Sequence, residues 1–264
     1  MSRKKHQKTL RPTRPNAGFA VWYRRKLESE IEAMHASLVW WVGAQYRAEG
    51  IAMDAGSPVD RLQAEIERLR TYWLRHFDDV GNRMGRMFAR KVLGYCDYNA
   101  KTAFKDMGMT VKMVMTPSMQ QAYEGVIGEQ VGLIRSIAEQ HLGNVERVVM
   151  ESVQRGRDLK YLQDQLLMRY QITKRRAALI ASDQNNKATA TLQATRQQDL
   201  GMTQGIWRHS HAGKKPRPEH VRADGETFDL AKGMYLEGEW VLPGQAIRCR
   251  CWWSPVLPKH LQPD

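Results

Sequence analysis

The chain has 264 residues and a formal net charge of +13, with 41 Lys and Arg against 28 Asp and Glu. A hydrophobic fraction of 42% and a charged fraction of 26% are typical of a soluble protein with a buried core, not of a disordered or membrane-embedded chain. The positive surplus predicts an anionic partner, which could be nucleic acid, anionic lipid or an acidic protein. Three cysteines, an odd number, argue against a disulfide framework and favour a reducing compartment.

Residues 1–16 form a basic arm that has two prolines and almost nothing to bury. We expect it to be disordered when free, and it either lies on phosphates or is a solvated tail without a dedicated partner. No apolar run and cleavage site follow it, so we expect no secretory signal. The longest apolar run, 38–42, is too short to span a bilayer, and we expect no membrane partner. The candidate nucleic-acid-binding residues of the arm are Arg3, Lys4, Lys5, Lys8, Arg11 and Arg14.

Residues 17–200 have a helical period almost throughout. A stripe of apolar residues at steps of three or four predicts the first buried helix face. Helix starts are indicated by Pro58, which follows Ser57, and by Pro117, which follows Thr116. We expect further helices over 80–105, 157–170 and 173–200, an interruption near 143–144, and a helix end at Gly201. The first stripe comprises Leu27, Ile31, Met34, Leu38 and Val42, and the second comprises Leu62, Ile66, Leu69 and Trp73.

Residues 201–264 are richer in glycine and proline and predict a separate module. Short strands are expected at 205–209, 226–228, 239–242 and 248–254. The fold class is therefore a mainly α N-terminal helical body with a small C-terminal α+β, β-rich module. The polar block 183–186 either marks an interface between this body and the module or is an exposed helix face.

The module contains five side chains that can bind a soft metal: His209, His211, His220, Cys249 and Cys251. In a strand, residues i and i+2 point to one face, which would pair the first two histidines and the two cysteines. Two such pairs brought together could make a tetrahedral nitrogen-and-sulfur site, for which zinc is the fitting metal. Alternatively, the cysteines are small buried hydrophobic residues and the histidines only make hydrogen bonds.

Catalysis by the same residues is the other hypothesis. A cysteine with His220 and Asp224 could form a thiol, imidazole and carboxylate arrangement. The three histidines could instead be the centre of a metal-dependent nuclease or hydrolase. The chain contains no HExxH motif, P-loop or dinucleotide fingerprint, and we therefore expect that it is not an enzyme.

Arginines near the cysteines have two interpretations. Arg250 lies between the cysteines and, in a strand, points to the opposite face. Together with Arg217 and Arg248 it could bind phosphate or a partner carboxylate. The alternative is a salt bridge to Asp224 or Glu226 that holds the module closed.

Ten residues of the module occur in an order and at spacings that resemble the C-terminal domain of phage Mu F-like minor head, or head morphogenesis, proteins. The resemblance covers about 175–255, where the helix over 176–195 occupies the place of the helix that leads into that domain. Before residue 175 the chain shares only a helical architecture with that family. The ten residues are Trp207, Arg217, His220, Asp224, Gly225, Pro243, Gly244, Cys249, Arg250 and Cys251.

The resemblance implies a phage minor head protein, a low-copy virion component that acts in portal and capsid assembly and is associated with packaged DNA. The implied partners are the portal and major capsid proteins and non-specific DNA, with several copies in each particle. The implied location is the phage head, and the host cytoplasm during assembly. The resemblance implies no catalytic residue.

Overall fold

The computed structural model describes residues 8–47, 58–211, 213 and 215–262. In these residues long helices are followed by a region of short antiparallel strands, which confirms the predicted fold class. No described helix combines the length and the apolarity needed to cross a bilayer. The elements are α1 (Ala17–Arg47), α2 (Pro58–Lys105), α3 (Pro117–Gln154), α4 (Leu159–Asp199), β1 (Gln204–Arg208), α5 (Pro218–Arg222), β2 (Thr227–Asp229), β3 (Met234–Leu236), β4 (Glu239–Val241) and β5 (Trp252–Pro255).

Local signals set several helix ends. The Thr116 hydroxyl accepts the Met119 N–H at 3.1 Å, and Pro117 occupies the first turn of α3, as predicted. Gly201 follows α4 with a φ of 82°, a left-handed conformation that favours glycine after a helix. Ser57, the predicted cap of α2, lies outside the described residues.

The predicted helix breaks are wrong. α2 is one helix from its proline to residue 105, α4 continues through 170–173, and α3 continues through Gly143 and Asn144. Leu142 and Val145, on either side of that pair, are 3% and 1% exposed. Core packing on both sides therefore stabilises the helix more than the glycine weakens it.

The chain divides into two compact units. Unit 1 comprises Met1–Ala20, Arg86–Ile127 and Ser182–Asp264, and unit 2 comprises Val21–Gly85 and Gly128–Ala181. These units do not coincide with the domains predicted at 1–16, 17–200 and 201–264, whose boundaries stay a prediction.

Unit 2 is a helical core. The α1 stripe predicted from the sequence lies inside it, with every member at most 1% exposed. The predicted stripe at the start of α2 is buried as well, with exposures between 1% and 7%. The 3.6-residue period therefore predicts which faces of these two helices are buried.

His141 is fully buried in unit 2, and burial, together with neighbouring His35, lowers its pKa to about 4. Its Nδ1 lies 2.9 Å from the Thr173 hydroxyl, which itself donates to the Arg169 carbonyl at 2.9 Å. The Thr173 oxygen therefore accepts the hydrogen bond from Nδ1, and the imidazole is neutral. Its Nε2 has no hydrogen-bond partner among the described residues, so protonation would bury an unpaired charge.

We expect the free energy of unfolding to fall as the pH drops from about 6.5 towards 4, because over this range the unfolded state binds a proton at His141 and the folded state does not. The lowered pKa of about 4 corresponds to about 3 kcal/mol across that window. His141→Gln stays uncharged and should lose this part of the pH dependence. Urea unfolding of both proteins at pH 7 and pH 4.5 measures it. An equal loss of unfolding free energy between pH 7 and pH 4.5 in the wild type and in His141→Gln would contradict the prediction.

Unit 1 contains the strands. β1 lies between β2 and β5 in an antiparallel sheet, and Trp207 faces Trp253 across β1 and β5. β3 and β4 form a hairpin whose turn, Glu237–Gly238, has φ values of 52° and 89°. Buried residues of α2 and α4, among them Phe104 and Ala190, belong to the same hydrophobic cluster as the sheet. The helices thus supply much of the core under these short strands.

The predicted disorder of the arm is wrong for residues 8–16. Thr9 forms a β-bridge with Val256, and the Leu10 N–H donates to the Pro255 carbonyl at 2.9 Å. Leu10 itself is 4% exposed. This segment therefore extends the sheet at β5, because one buried leucine and backbone pairing order it. Arg3, Lys4 and Lys5 lie outside the described residues.

Candidate metal centre

Two cysteines and one histidine meet in unit 1. Cys249 and Cys251 lie in the loop before β5, and His220 lies on α5. The His220 Nδ1 atom is 3.4 Å from the Cys249 sulfur and 3.8 Å from the Cys251 sulfur. The three ligand atoms all lie within 4.8 Å of one another, and the three residues are 3%, 5% and 4% exposed. Arg250, between the cysteines, is exposed.

Helix α4 holds the cysteine loop in place. Asp183 accepts the Arg248 N–H at 2.9 Å, and the Asn186 amide donates to the Cys249 carbonyl at 2.9 Å. Arg248 has a φ of 60°, in the left-handed region, and the hydrogen bond to Asp183 stabilises this conformation. Burial raises the pKa of Asp183. The polar block 183–186 therefore contacts a loop of the C-terminal module, which is the first of the two alternatives that the sequence leaves open.

The two thiols act as one titrating pair. The hydrogen bond from Cys251, together with those from His220 and the Gly244 N–H, lowers the pKa of Cys249, in the direction opposite to the effect of burial. The same bond raises the pKa of Cys251, and burial raises it too. The two thiols therefore titrate together, and a proton on Cys251 favours the thiolate form of Cys249. The Gly244 N–H lies 3.4 Å from the Cys249 sulfur.

Trp207 forms the wall of the site. It is 0% exposed, and its ring meets the His220 ring edge-to-face at 5.4 Å. Phe228 packs on it at 5.9 Å. The indole N–H has no nitrogen or oxygen partner among the described residues, and it interacts with the Cys251 sulfur, where it lowers the pKa of that thiol.

His209 and His211 do not join this cluster. β1 ends at Arg208, and His211 has a φ of 50°, so the same-face argument does not apply to the two histidines. The His211 N–H donates to His209 Nδ1 at 3.1 Å. Asp224 accepts the His209 N–H at 2.9 Å and lies 3.5 Å from His211 Nε2. Asp224 therefore fixes the turn after β1.

The remaining motif residues shape the loops around the cluster. Arg217 donates to the Ile247 carbonyl at 3.0 Å and lies 3.4 Å from Glu237. Gly225, with a φ of 83°, donates its N–H to the Trp207 carbonyl at 2.9 Å. Gly244, with a φ of 91°, follows buried Pro243. A Cβ on Gly244 would lie 3.3 Å from the Cys251 carbonyl oxygen, so the turn fits closely against the second cysteine.

Comparison with known proteins finds a match in the region that contains this cluster. The family model described as "Phage Mu protein F like protein" matches residues 143–254. An uncharacterized protein of Haemophilus influenzae is 30% identical over 147 residues, which cover 56% of this chain and 32% of the relative. The chain thus spans about a third of the length of that relative. No solved structure matches the chain. The matched stretch, residues 143–254, includes every residue of the cysteine and histidine cluster, and this part of the chain is similar to the phage Mu protein F-like family.

Proposed function

We propose that the protein is a minor head component of a tailed phage, which joins the portal and capsid during assembly and lies against packaged DNA. The family match over residues 143–254 carries the head morphogenesis role. The distribution of charge supports the DNA contact. Exposed aromatic side chains support a protein contact. The phage head is the expected location.

The net charge lies almost entirely in unit 1. Its residues include 23 Lys and Arg against 12 Asp and Glu, a surplus of 11, whereas unit 2 has 18 against 16. Non-specific DNA binding depends on neutralising phosphates, so its strength follows the number of available cations. Unit 1 is therefore the surface that we assign to DNA.

A basic face of α2 within unit 1 suits this contact. Arg86, Arg90, Lys101 and Lys105 are exposed and follow one another at helical steps, with Tyr98, 68% exposed, between the two pairs. From the first to the last the face is about 28 Å long at about 1.5 Å per residue, close to one turn of B-DNA. The four cations can neutralise phosphates, and the tyrosine can stack on a base or lie against a sugar.

Exposed aromatic residues of unit 2 suit a protein partner. Trp40 is 58% exposed and Trp41 37% exposed, both on α1, and Tyr72 on α2 is 57% exposed. The Arg68 guanidinium lies 4.7 Å from the Trp41 ring centroid. Tryptophan, tyrosine and arginine are the residues that protein interfaces bury most often. We assign this surface to the portal or capsid protein.

The hydrolase alternative receives less support. Its proposed centre requires the three histidines to act together, but His220 contacts the cysteines and the other two lie apart with Asp224. All three members of the His220 cluster are at most 5% exposed, which leaves a substrate no access to them. A buried cluster of this kind suits a structural role.

The DNA contact is tested by replacing the four α2 cations with glutamine in one variant. We expect the slope of log affinity against log salt concentration, on non-specific duplex DNA, to fall by about 3 to 4, because each lost phosphate contact removes about 0.9 from it. The matched control removes four exposed cations from unit 2 and should keep the wild-type slope. A control that loses as much as the α2 variant, or a wild type with no DNA affinity at low salt, would remove this part of the proposal. The control carries Arg25→Gln, Lys26→Gln, Arg75→Gln and Arg175→Gln.

The head role is tested in assembled particles. We expect mass spectrometry of purified heads to detect the protein in a few copies, and Trp40→Ala with Trp41→Ala to reduce its incorporation because the docking surface is lost. Leu167→Ala with Ile172→Ala removes two other exposed apolar residues of unit 2 and should incorporate normally. Absence of the wild-type protein from particles would overturn the assignment.

A further inference from the structure

We infer that His220, Cys249 and Cys251 bind one structural zinc ion, and that His209 supplies the fourth ligand. The ion would join α5 to the loop before β5, since His220 lies 29 residues before Cys249 and 31 before Cys251. This inference concerns the stability of unit 1 and is independent of the phage role.

The spacing of the ligand atoms fits tetrahedral zinc. With zinc–nitrogen and zinc–sulfur bonds of about 2.0 and 2.3 Å, a tetrahedral site separates nitrogen from sulfur by about 3.5 Å. The two observed separations from His220 Nδ1, 3.4 and 3.8 Å, lie on either side of that value. A zinc ion therefore fits between the three atoms with little movement of the backbone.

The surroundings of the sulfurs suit metal thiolates. The Gly244 N–H donates to the Cys249 sulfur, and the Ser210 backbone and the Trp207 indole interact with the Cys251 sulfur. Hydrogen-bond donors of this kind orient thiolate ligands and stabilise their negative charge. Asp183 and Asn186 fix the same loop from α4, so the site is held on a rigid element.

Strand register favours His209 as the fourth ligand. Arg208 pairs with Trp252 at the end of β1, so His209 and Cys251 are the next residues beyond the last paired position of the two strands, and they would oppose each other if the register continued by one residue. Side chains of directly opposed residues lie on one face of the sheet, about 5 Å apart at Cβ. His209 is 7% exposed, and its Nδ1 accepts the His211 N–H in this structure, so a rotation that brings the ring to the metal would exchange that hydrogen bond for a bond to zinc. The side chain of His211 is 72% exposed and interacts with Asp224 instead.

Zinc is the metal that the ligand chemistry selects. Two thiolates and imidazole nitrogen are soft or borderline ligands, and a tetrahedral mixture of sulfur and nitrogen is typical of zinc. Magnesium and calcium require oxygen ligands, which the cluster does not offer. In a structural zinc site a protein side chain occupies the fourth coordination position, whereas a catalytic site leaves that position to water or substrate.

The test is metal analysis of the full-length chain, purified without a histidine tag under reducing conditions. We expect one zinc per chain in the wild type, and less than a tenth of that in Cys249→Ser, Cys251→Ser and His220→Asn. Cys96→Ala, which removes the buried thiol of α2, and His211→Gln should keep one zinc. His209→Gln should bind zinc much more weakly. Full affinity in that variant would exclude His209 from the ligand set.

Cobalt exchange decides the case if the ligand variants do not fold. The wild-type protein with Co²⁺ should show thiolate-to-cobalt charge-transfer bands and the intense visible bands of tetrahedral coordination, and zinc should abolish both. A chelator should lower its melting temperature. A folded wild type that takes up neither zinc nor cobalt overturns the inference, and the two cysteines are then buried thiols that only bond to His220.

Discussion

Arg196→Met should lower the free energy of unfolding by about 3 kcal/mol, because it removes a buried guanidinium and leaves the carboxylate of Asp97, whose side chain is 23% exposed, without its partner. Arg196 is 4% exposed and donates to both carboxylate oxygens of Asp97, at 2.8 and 3.2 Å. It also donates to the Val114 carbonyl at 2.5 Å, in the segment between α2 and α3. One side chain thus joins α4, α2 and this segment, and chemical denaturation measures its contribution.

A double-mutant cycle distinguishes the ion pair from simple loss of packing. Arg196→Met with Asp97→Leu replaces both charges with apolar groups and should be more stable than Arg196→Met alone, since no unpaired charge remains. Arg135→Met removes an exposed arginine that pairs with Glu139 and should cost less than about 1 kcal/mol. A similarly small loss for Arg196→Met, or no coupling in the cycle, would contradict this account.

Helical periodicity predicts the buried faces of this protein better than the ends of its helices. The α1 stripe is correct at every position because a repeat of three and four residues is a property of the local sequence. The break expected at Gly143 and Asn144 is absent, because burial of the flanking residues depends on tertiary partners that no local pattern contains. No local pattern predicts β3, because three residues are too few to show the alternation of a strand. Only the Glu237–Gly238 turn indicates it.

The candidate site, too, can be predicted from the sequence only in part. Cys249 and Cys251 both contact His220 while Arg250 is exposed, as their spacing predicts, although the two cysteines lie in a loop and not in the strand expected at 248–254. The choice of His220 over His209 and His211 does not follow from the spacing, because it depends on a fold that brings His220 on α5 to Cys249, 29 residues later. Composition alone does not predict the structure of the arm. Residues 8–16 are basic, yet the burial of Leu10 and backbone pairing with the edge of β5 order them.

Trp207→Ala should be at least as destabilising as the loss of Arg196, at about 3 to 5 kcal/mol, since it empties a fully buried indole site. The ring packs edge-on against His220 and Phe228, and it faces Trp253 across the sheet. Its removal takes away the wall of the His220 cluster as well as the centre of the small sheet. Loss of the zinc-binding capacity that we infer should accompany the loss of stability.

Two matched variants isolate the cause of that effect. Trp240→Ala removes a tryptophan of the same unit that is 61% exposed, and it should change the free energy of unfolding by no more than about 0.5 kcal/mol. Trp207→Phe keeps an aromatic ring but lacks the N–H beside the Cys251 sulfur, so it should retain more stability than the alanine variant and still weaken cobalt binding. Equal free energies of unfolding for Trp207→Ala and Trp240→Ala would show that the sheet does not depend on this ring. Cobalt spectra identical in Trp207→Phe and wild type would show that the indole N–H has no role at the sulfur.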